Sequence, residues 1–144
     1  VYLVLCYAFG LTQFWAVFLF VLYWGMFESA ELNKLPHVIL GGFVGLLTGY
    51  LSHACVELLG PSGGLVFLTF IAAVIYCQLM GLMKMAVNAM TMIFLTVATI
   101  PALIEHTTFT DQLIGYGMGI LFFGGLISLG KFFKQRAASS NSRL

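Results

Sequence analysis

The sequence predicts an all-α protein, a polytopic bundle of about five transmembrane helices joined by short loops. Three observations carry that prediction. First, 61% of the chain is apolar and 8% charged, with a mean hydropathy of +1.05; a soluble domain carries roughly 25% charged residues. Second, residues 35–56, 58–83, 85–104 and 112–130 contain no charge at all. Each stretch is about 20 residues or more, enough at 1.5 Å per residue to span a hydrocarbon core of about 30 Å. Third, the basic residues Lys34, Lys84, Lys131, Lys134, Arg136 and Arg143 can all be placed on one side, while Glu57, Glu105 and Asp111 fall in the alternate loops. Positive residues favour the cytoplasmic side, so the pattern orients the chain with its C-terminus in the cytoplasm.

The elements follow in order. Residues 1–27 are uncharged and as one helix would reach about 40 Å, which calls for tilt. The single tilted helix is the favoured reading, because too few residues precede Gly10 to cross a bilayer. The alternative divides the stretch, with Val1–Phe9 ending one helix, Gly10-Leu11-Thr12-Gln13 turning, and Phe14–Phe27 belonging to the next. The chain starts at Val1 rather than Met, so its original start is expected to be missing. Glu28–Lys34 is an inner loop, and Pro36 suits the first turn of the next helix, which runs to about Leu59. Gly60-Pro61-Ser62-Gly63-Gly64 reads as an outer turn. A third segment, Leu65–Met83, ends at a short inner turn around Lys84, and Met85–Ile104 returns outward. Glu105–Asp111 is the second outer loop, with Thr110 or Asp111 able to cap the last helix, Gln112–Gly130. A single membrane domain thus covers 1–136, and 137–144 is expected to be a disordered cytoplasmic tail.

Several classes are excluded or weakened at once. A net charge of +1, with the positive residues gathered in a tail, offers no basic face for nucleic acid. The first stretch lacks the basic start and small-residue cleavage site of a secretory leader. The three cysteines have no metal-ligand spacing, and Cys6 and Cys55 are expected as free thiols rather than a disulfide. His37 and His53 stand at opposite ends of one helix, about 24 Å apart by rise, so they cannot hold one haem. No nucleophile–histidine motif or glycine-rich phosphate loop is recognisable. The expectation is a protein with no enzymatic role, no metal and no cofactor.

Small and polar residues within the spans supply the candidate sites. Gly41, Gly45 and Gly49 recur every four residues along one helix stripe, and Gly115 and Gly119 repeat the device in the last helix. Such stripes let backbones approach closely, within the chain or between copies in a homo-oligomer. On the fourth helix Asn88, Thr91 and Thr99 share an arc, and Gln78 lies at a similar depth on the preceding helix. Together they could line a polar pathway, or simply tie helices together and bond their own carbonyls. His53 and Glu57, one turn apart, could meet Glu105, His106 and Asp111 from the other loop around an outer mouth that concentrates cations. Metal ligation there would need two or three of them to converge. Solvated loop residues are the plainer alternative. Tyr23, Trp24, Tyr50, Tyr116, Phe109 and Phe132-Phe133 are placed at the interfaces, where aromatic rings favour the headgroups.

Trp15-Ala16, Cys77-Gln78 ahead of Lys84, the run Thr96-Val97-Ala98-Thr99 and the glycine-rich last helix resemble a family of small uncharacterised bacterial inner-membrane proteins known as domain of unknown function 1097. The resemblance would cover most of the chain. Two departures stand out: that family usually carries a further half-helix at the N-terminus, and the acidic Glu28–Glu31 loop is foreign to it. The resemblance implies a compact bundle in the bacterial cytoplasmic membrane that could conduct a solute, and it assigns no functional residues.

The resulting expectation is a channel or carrier in the lipid bilayer for a small neutral or cationic solute, with Gln78, Asn88, Thr91 and Thr99 along its path. A structural or anchor subunit of a larger membrane complex is the alternative.

Overall fold

The computed structural model describes residues 2–8, 10, 14–100, 103 and 108–141, the side chains of Leu5 and of 137–141 excepted, and among these every regular element is helical. In chain order they are α1 (Tyr2–Ala8), α2 (Trp15–Leu22) prolonged by a π-helical turn at Tyr23–Phe27, a 3-10 turn at Leu32–Lys34, α3 (Leu35–Leu59), α4 (Pro61–Leu79), α5 (Ala89–Ala98) and α6 (Phe109–Asn141). Three stretches are long and apolar enough to cross a membrane: Leu32–Leu59, Pro61–Leu79 and Phe109–Arg136. Trp15–Phe27 and Ala89–Ala98 are apolar but shorter, and ten helical residues rise only about 15 Å. Where five crossings were expected, three stretches have the length and apolar composition to cross, and the other two apolar helices are short.

Several boundaries differ from the sequence reading. Residues 1–27 are not one helix: Gly10 takes φ +71°, its N–H bonds the Tyr7 carbonyl at 3.0 Å, and α1 and α2 are separate. The turn after α3 shrinks to Gly60, at φ +58° and ψ −137°, because Pro61 already occupies the first turn of α4, where its missing N–H costs nothing. The segment expected to be helical from Met85 begins at Ala89, since the Asn88 side chain takes the first free backbone donors, and it stops at Ala98 rather than Ile104. A residue before a proline disfavours the helical region, and Pro101 lies just beyond. The last helix starts at Phe109, ahead of Gln112. Thr108 supplies the cap in place of Thr110 or Asp111: its hydroxyl accepts from the Asp111 N–H at 3.2 Å. The helix continues to Asn141, through most of the expected tail.

The glycine stripe decides the packing. A methyl at Gly45 would lie 2.5 Å from Phe94 Cβ and 2.8 Å from the Thr91 carbonyl oxygen. Gly41 abuts the Asn88 side chain, and Gly49 abuts Ala98. The contacts advance together along both helices, so α3 and α5 run in the same direction in close contact at the glycines. Against its other neighbour, α3 folds as a hairpin with α4, closed where Gly63 meets the Cys55 carbonyl. Gly119 of α6 admits Val17 of α2, and Tyr2 of α1 donates to the Gly115 carbonyl at 3.2 Å.

The core lies where α2, α3, α5 and α6 converge, around Phe20, Trp24, Val38, Leu46, Met90, Phe94 and Tyr116. Trp24 and Tyr116, expected at the interfaces, are inside it: both are almost completely buried. Phe94 and Tyr116 meet edge-on at 5.3 Å and Phe20 and Tyr116 at 5.9 Å, an arrangement that ring quadrupoles favour. The Tyr116 hydroxyl, beside Gly42, reaches the carbonyls of Ile39 at 3.2 Å and Val38 at 3.3 Å. A polar end buried in this core thus keeps a partner.

Candidate functional site: a charged cavity at the basic end of the bundle

Lys34, Lys84 and Lys131 lie at one end of the bundle, and the chain there is built as a set of interlocked turns. After the π turn, Ser29 and Ala30 adopt φ +51° and +53°, the left-handed region that L residues seldom enter. The strain is held by bonds on every side. Ala30 N–H reaches the Trp24 carbonyl at 2.8 Å, Trp24 Nε1 donates to the Glu31 carbonyl at 2.9 Å, and Lys131 Nζ donates to the Ala30 carbonyl at 2.7 Å. Glu28 accepts from the Tyr23 hydroxyl at 3.3 Å and pairs with Lys34 at 2.7 Å; Glu31 lies 3.8 Å from the same ammonium.

Opposite this loop, residues Met80–Asn88 carry the chain from α4 to α5. Gly81 at φ +65° and Met83 at φ +54° turn it sharply. Between the two loops and the start of α3 is a cavity of about 320 Å³, lined by Tyr23, Glu28, Lys34, His37, Lys84 and Asn88 over a wall that includes Val38. Two ammonium groups and an imidazole thus face one carboxylate, itself already paired. No ion pair involves Lys84 or His37 among the described residues.

Of the four residues expected to line a pathway, Asn88, Thr91 and Thr99 hold hydrogen bonds to backbone groups of α3 or of their own segment. Asn88 Oδ1 accepts from the N–H groups of Met90 (3.0 Å) and Thr91 (3.4 Å), and Nδ2 donates to the His37 carbonyl at 2.8 Å. Thr91 accepts from Asn88 N–H at 3.1 Å and donates to the Ala86 carbonyl at 3.0 Å. This is a complete capping box that also fastens α5 to α3. Thr99, just past the end of α5, donates to the Thr96 carbonyl in its last turn at 2.9 Å. Among the described residues Gln78 has no side-chain hydrogen-bond partner, Asn88 included, and its Oε1 is buried. Of these four residues, the cavity includes Asn88.

At the opposite end His53 is half-buried and Glu57 exposed in the last turns of α3, while Asp111 accepts from the Thr108 hydroxyl at 2.7 Å. The Tyr50 and Phe109 rings, 4.8 Å apart, bring the start of α6 beside α3, but no hydrogen bond or ion pair joins His53, Glu57 and Asp111. Glu105 and His106 lie outside the described residues. No metal-binding group of three or more His, Cys, Asp or Glu side chains is found among the described residues.

No family model matches the chain, and no curated protein and no solved structure matches it either. The cavity must therefore be read from its own chemistry. Sequence reasoning missed it because Glu28 and Lys34 were read for topology, Tyr23 as an interface ring and His37 as a candidate haem ligand, each apart from the others. The signal present was His37 one turn beyond Lys34, near a loop unusually rich in charge for this chain.

Proposed function

We propose that the chain is a multi-pass membrane protein that passes a small solute, with the cavity between the Glu28–Lys34 and Met80–Asn88 loops as its cytoplasmic mouth. The observation that carries this reading is the cavity itself. In a bundle with few charges, ionisable and hydrogen-bonding groups surround a hollow large enough for a small molecule. The cytoplasmic assignment rests on the basic residues of that end, and the resemblance to the domain of unknown function 1097 family supports the same membrane. No catalytic role is assigned.

The anchor reading has an observation of its own. Most of α4 faces away from the bundle, with Leu65, Leu68, Phe70, Tyr76 and Leu79 exposed, a surface that lipid or another chain could cover. A homo-oligomer would need such a face, because α5 already occupies the Gly41–Gly45–Gly49 stripe. Solute flux into proteoliposomes separates the readings. The parent is expected to conduct, and His37→Ala and Lys84→Ala to reduce flux without loss of folded protein. No flux for any small solute, or flux indifferent to both substitutions, would remove the transport reading.

A further inference from the structure

We propose that the cavity at the basic end is an anion site for a phosphate or carboxylate group, with Lys84 as its principal cation and Gly81 as the residue that positions it. The inference rests on reading the cavity as a solute site and gives that solute a chemical class. It reverses the sign expected from the sequence, where the carboxylates of the opposite end favoured a neutral or cationic solute.

The charge arrangement is the first argument. Glu28 is bound on both sides, by Lys34 at 2.7 Å and by the Tyr23 hydroxyl at 3.3 Å, so it offers little to an incoming cation. Lys84 and His37 line the same hollow with no acidic partner among the described residues. Asn88 adds a donor. Its Oδ1 is spent on the helix cap and one Nδ2 hydrogen on the His37 carbonyl. A carboxamide nitrogen carries two, which leaves one unengaged in a residue that lines the cavity. An ammonium, an amide N–H and an imidazole N–H make a donor set for an oxyanion, and bonds between an ammonium and an oxyanion are among the stronger ones.

The second argument is how Lys84 is held. A lysine at a membrane boundary ordinarily extends its stem toward water. Here the side chain, still exposed, lies against Gly81: a methyl at Gly81 would lie 2.7 Å from Lys84 Cε and 3.5 Å from Nζ. Gly81 also sits at φ +65°, which L side chains seldom adopt. Glycine therefore both makes the turn and leaves room for the ammonium against it.

The same chemistry could come from a free anion or from the headgroup of an acidic lipid, and two titrations distinguish them. Thermal unfolding of the purified chain in uncharged detergent is followed against sodium phosphate, with sodium chloride at matched ionic strength. In parallel it is followed against short-chain phosphatidylglycerol, with phosphatidylcholine as the comparison. A saturable rise in unfolding temperature with phosphate supports a free-anion site, and a rise confined to phosphatidylglycerol supports a headgroup site. Lys84→Gln should weaken the effect about tenfold, while Lys134→Gln, in the exposed last part of α6, should leave it unchanged. Gly81→Ala should weaken it comparably with Lys84 still present; unchanged binding there would overturn the positioning role. Stabilisation by neither probe, or equal losses in Lys84→Gln and Lys134→Gln, would overturn the anion site. Anion binding without flux leaves this inference standing and removes transport. Flux of a cation or neutral solute without anion binding does the reverse.

Discussion

Helices α4 and α5 flank the same helix, α3, and solve opposite problems. α4 has 19 residues, enough to cross a membrane, yet little of it is buried. α5 has ten residues, too few to cross, and its Met90, Thr91, Phe94, Leu95 and Ala98 are buried. A long apolar helix can stand in lipid on its own composition, because its backbone is satisfied internally. A short one has unpaired donors close to the apolar layer. It needs a cap, here Asn88 and Thr91, and a partner that comes near enough for dispersion to hold it, here the glycine stripe of α3. The difference teaches that a long apolar helix such as α4 can stand with little protein around it, while a short one such as α5 depends on its cap and on a close seam with the small residues of α3.

Substitutions on the two helices test that contrast. The largest effect is expected from Gly45→Leu, which forces a side chain into Phe94 and the Thr91 carbonyl. Overpacking of this kind should cost about 3 kcal/mol, seen as a lower midpoint when unfolding by SDS is followed through tryptophan fluorescence. A midpoint equal to the parent's would mean that the α3–α5 seam opens freely. Asn88→Ala removes the cap and the bond to His37, and should cost about 1–2 kcal/mol in the same assay. Asn88→Asp keeps the cap oxygens and should recover part of the loss. If Asn88→Ala instead changed flux at full stability, the side chain would belong to the pathway more than to the helix end. Tyr116→Phe leaves the rings packed but removes the hydroxyl shared between Val38 and Ile39, for about 1 kcal/mol. The smallest effect belongs to α4: Leu68 is 61% exposed, and Leu68→Ala should stay within about 0.5 kcal/mol. A larger loss there, accompanied by a smaller particle in size-exclusion chromatography, would reveal a partner on α4.

The candidate site was less legible than the helices. Asn88 was singled out by its cost in lipid as a residue that could line a pathway, and the structure shows it capping α5. The choice between lining a path and capping a helix needed the position of the His37 carbonyl, far away in sequence. Lys34 and Lys84 were read as markers of sidedness, which says nothing about whether they meet. Gln78 and Asn88 looked alike in depth, but Gln78 lies on α4, with no hydrogen bond to Asn88.

The sequence by itself determined the class of this protein and the location of its long helices. Hydropathy and charge act over about 20 consecutive residues, and the bilayer thickness that they answer to is constant. The spacing of Gly41, Gly45 and Gly49 also announced a close helix contact, since a repeat of four keeps one face. Which helix came close, and that it is a short one running in the same direction, only the tertiary structure decided. So too with the gathering of Lys34, His37 and Lys84 at the rim of one cavity. Those outcomes depend on turns set by single residues, Gly10, Gly60 and Gly81 among them, and on bonds between segments distant in the chain, which no local pattern encodes.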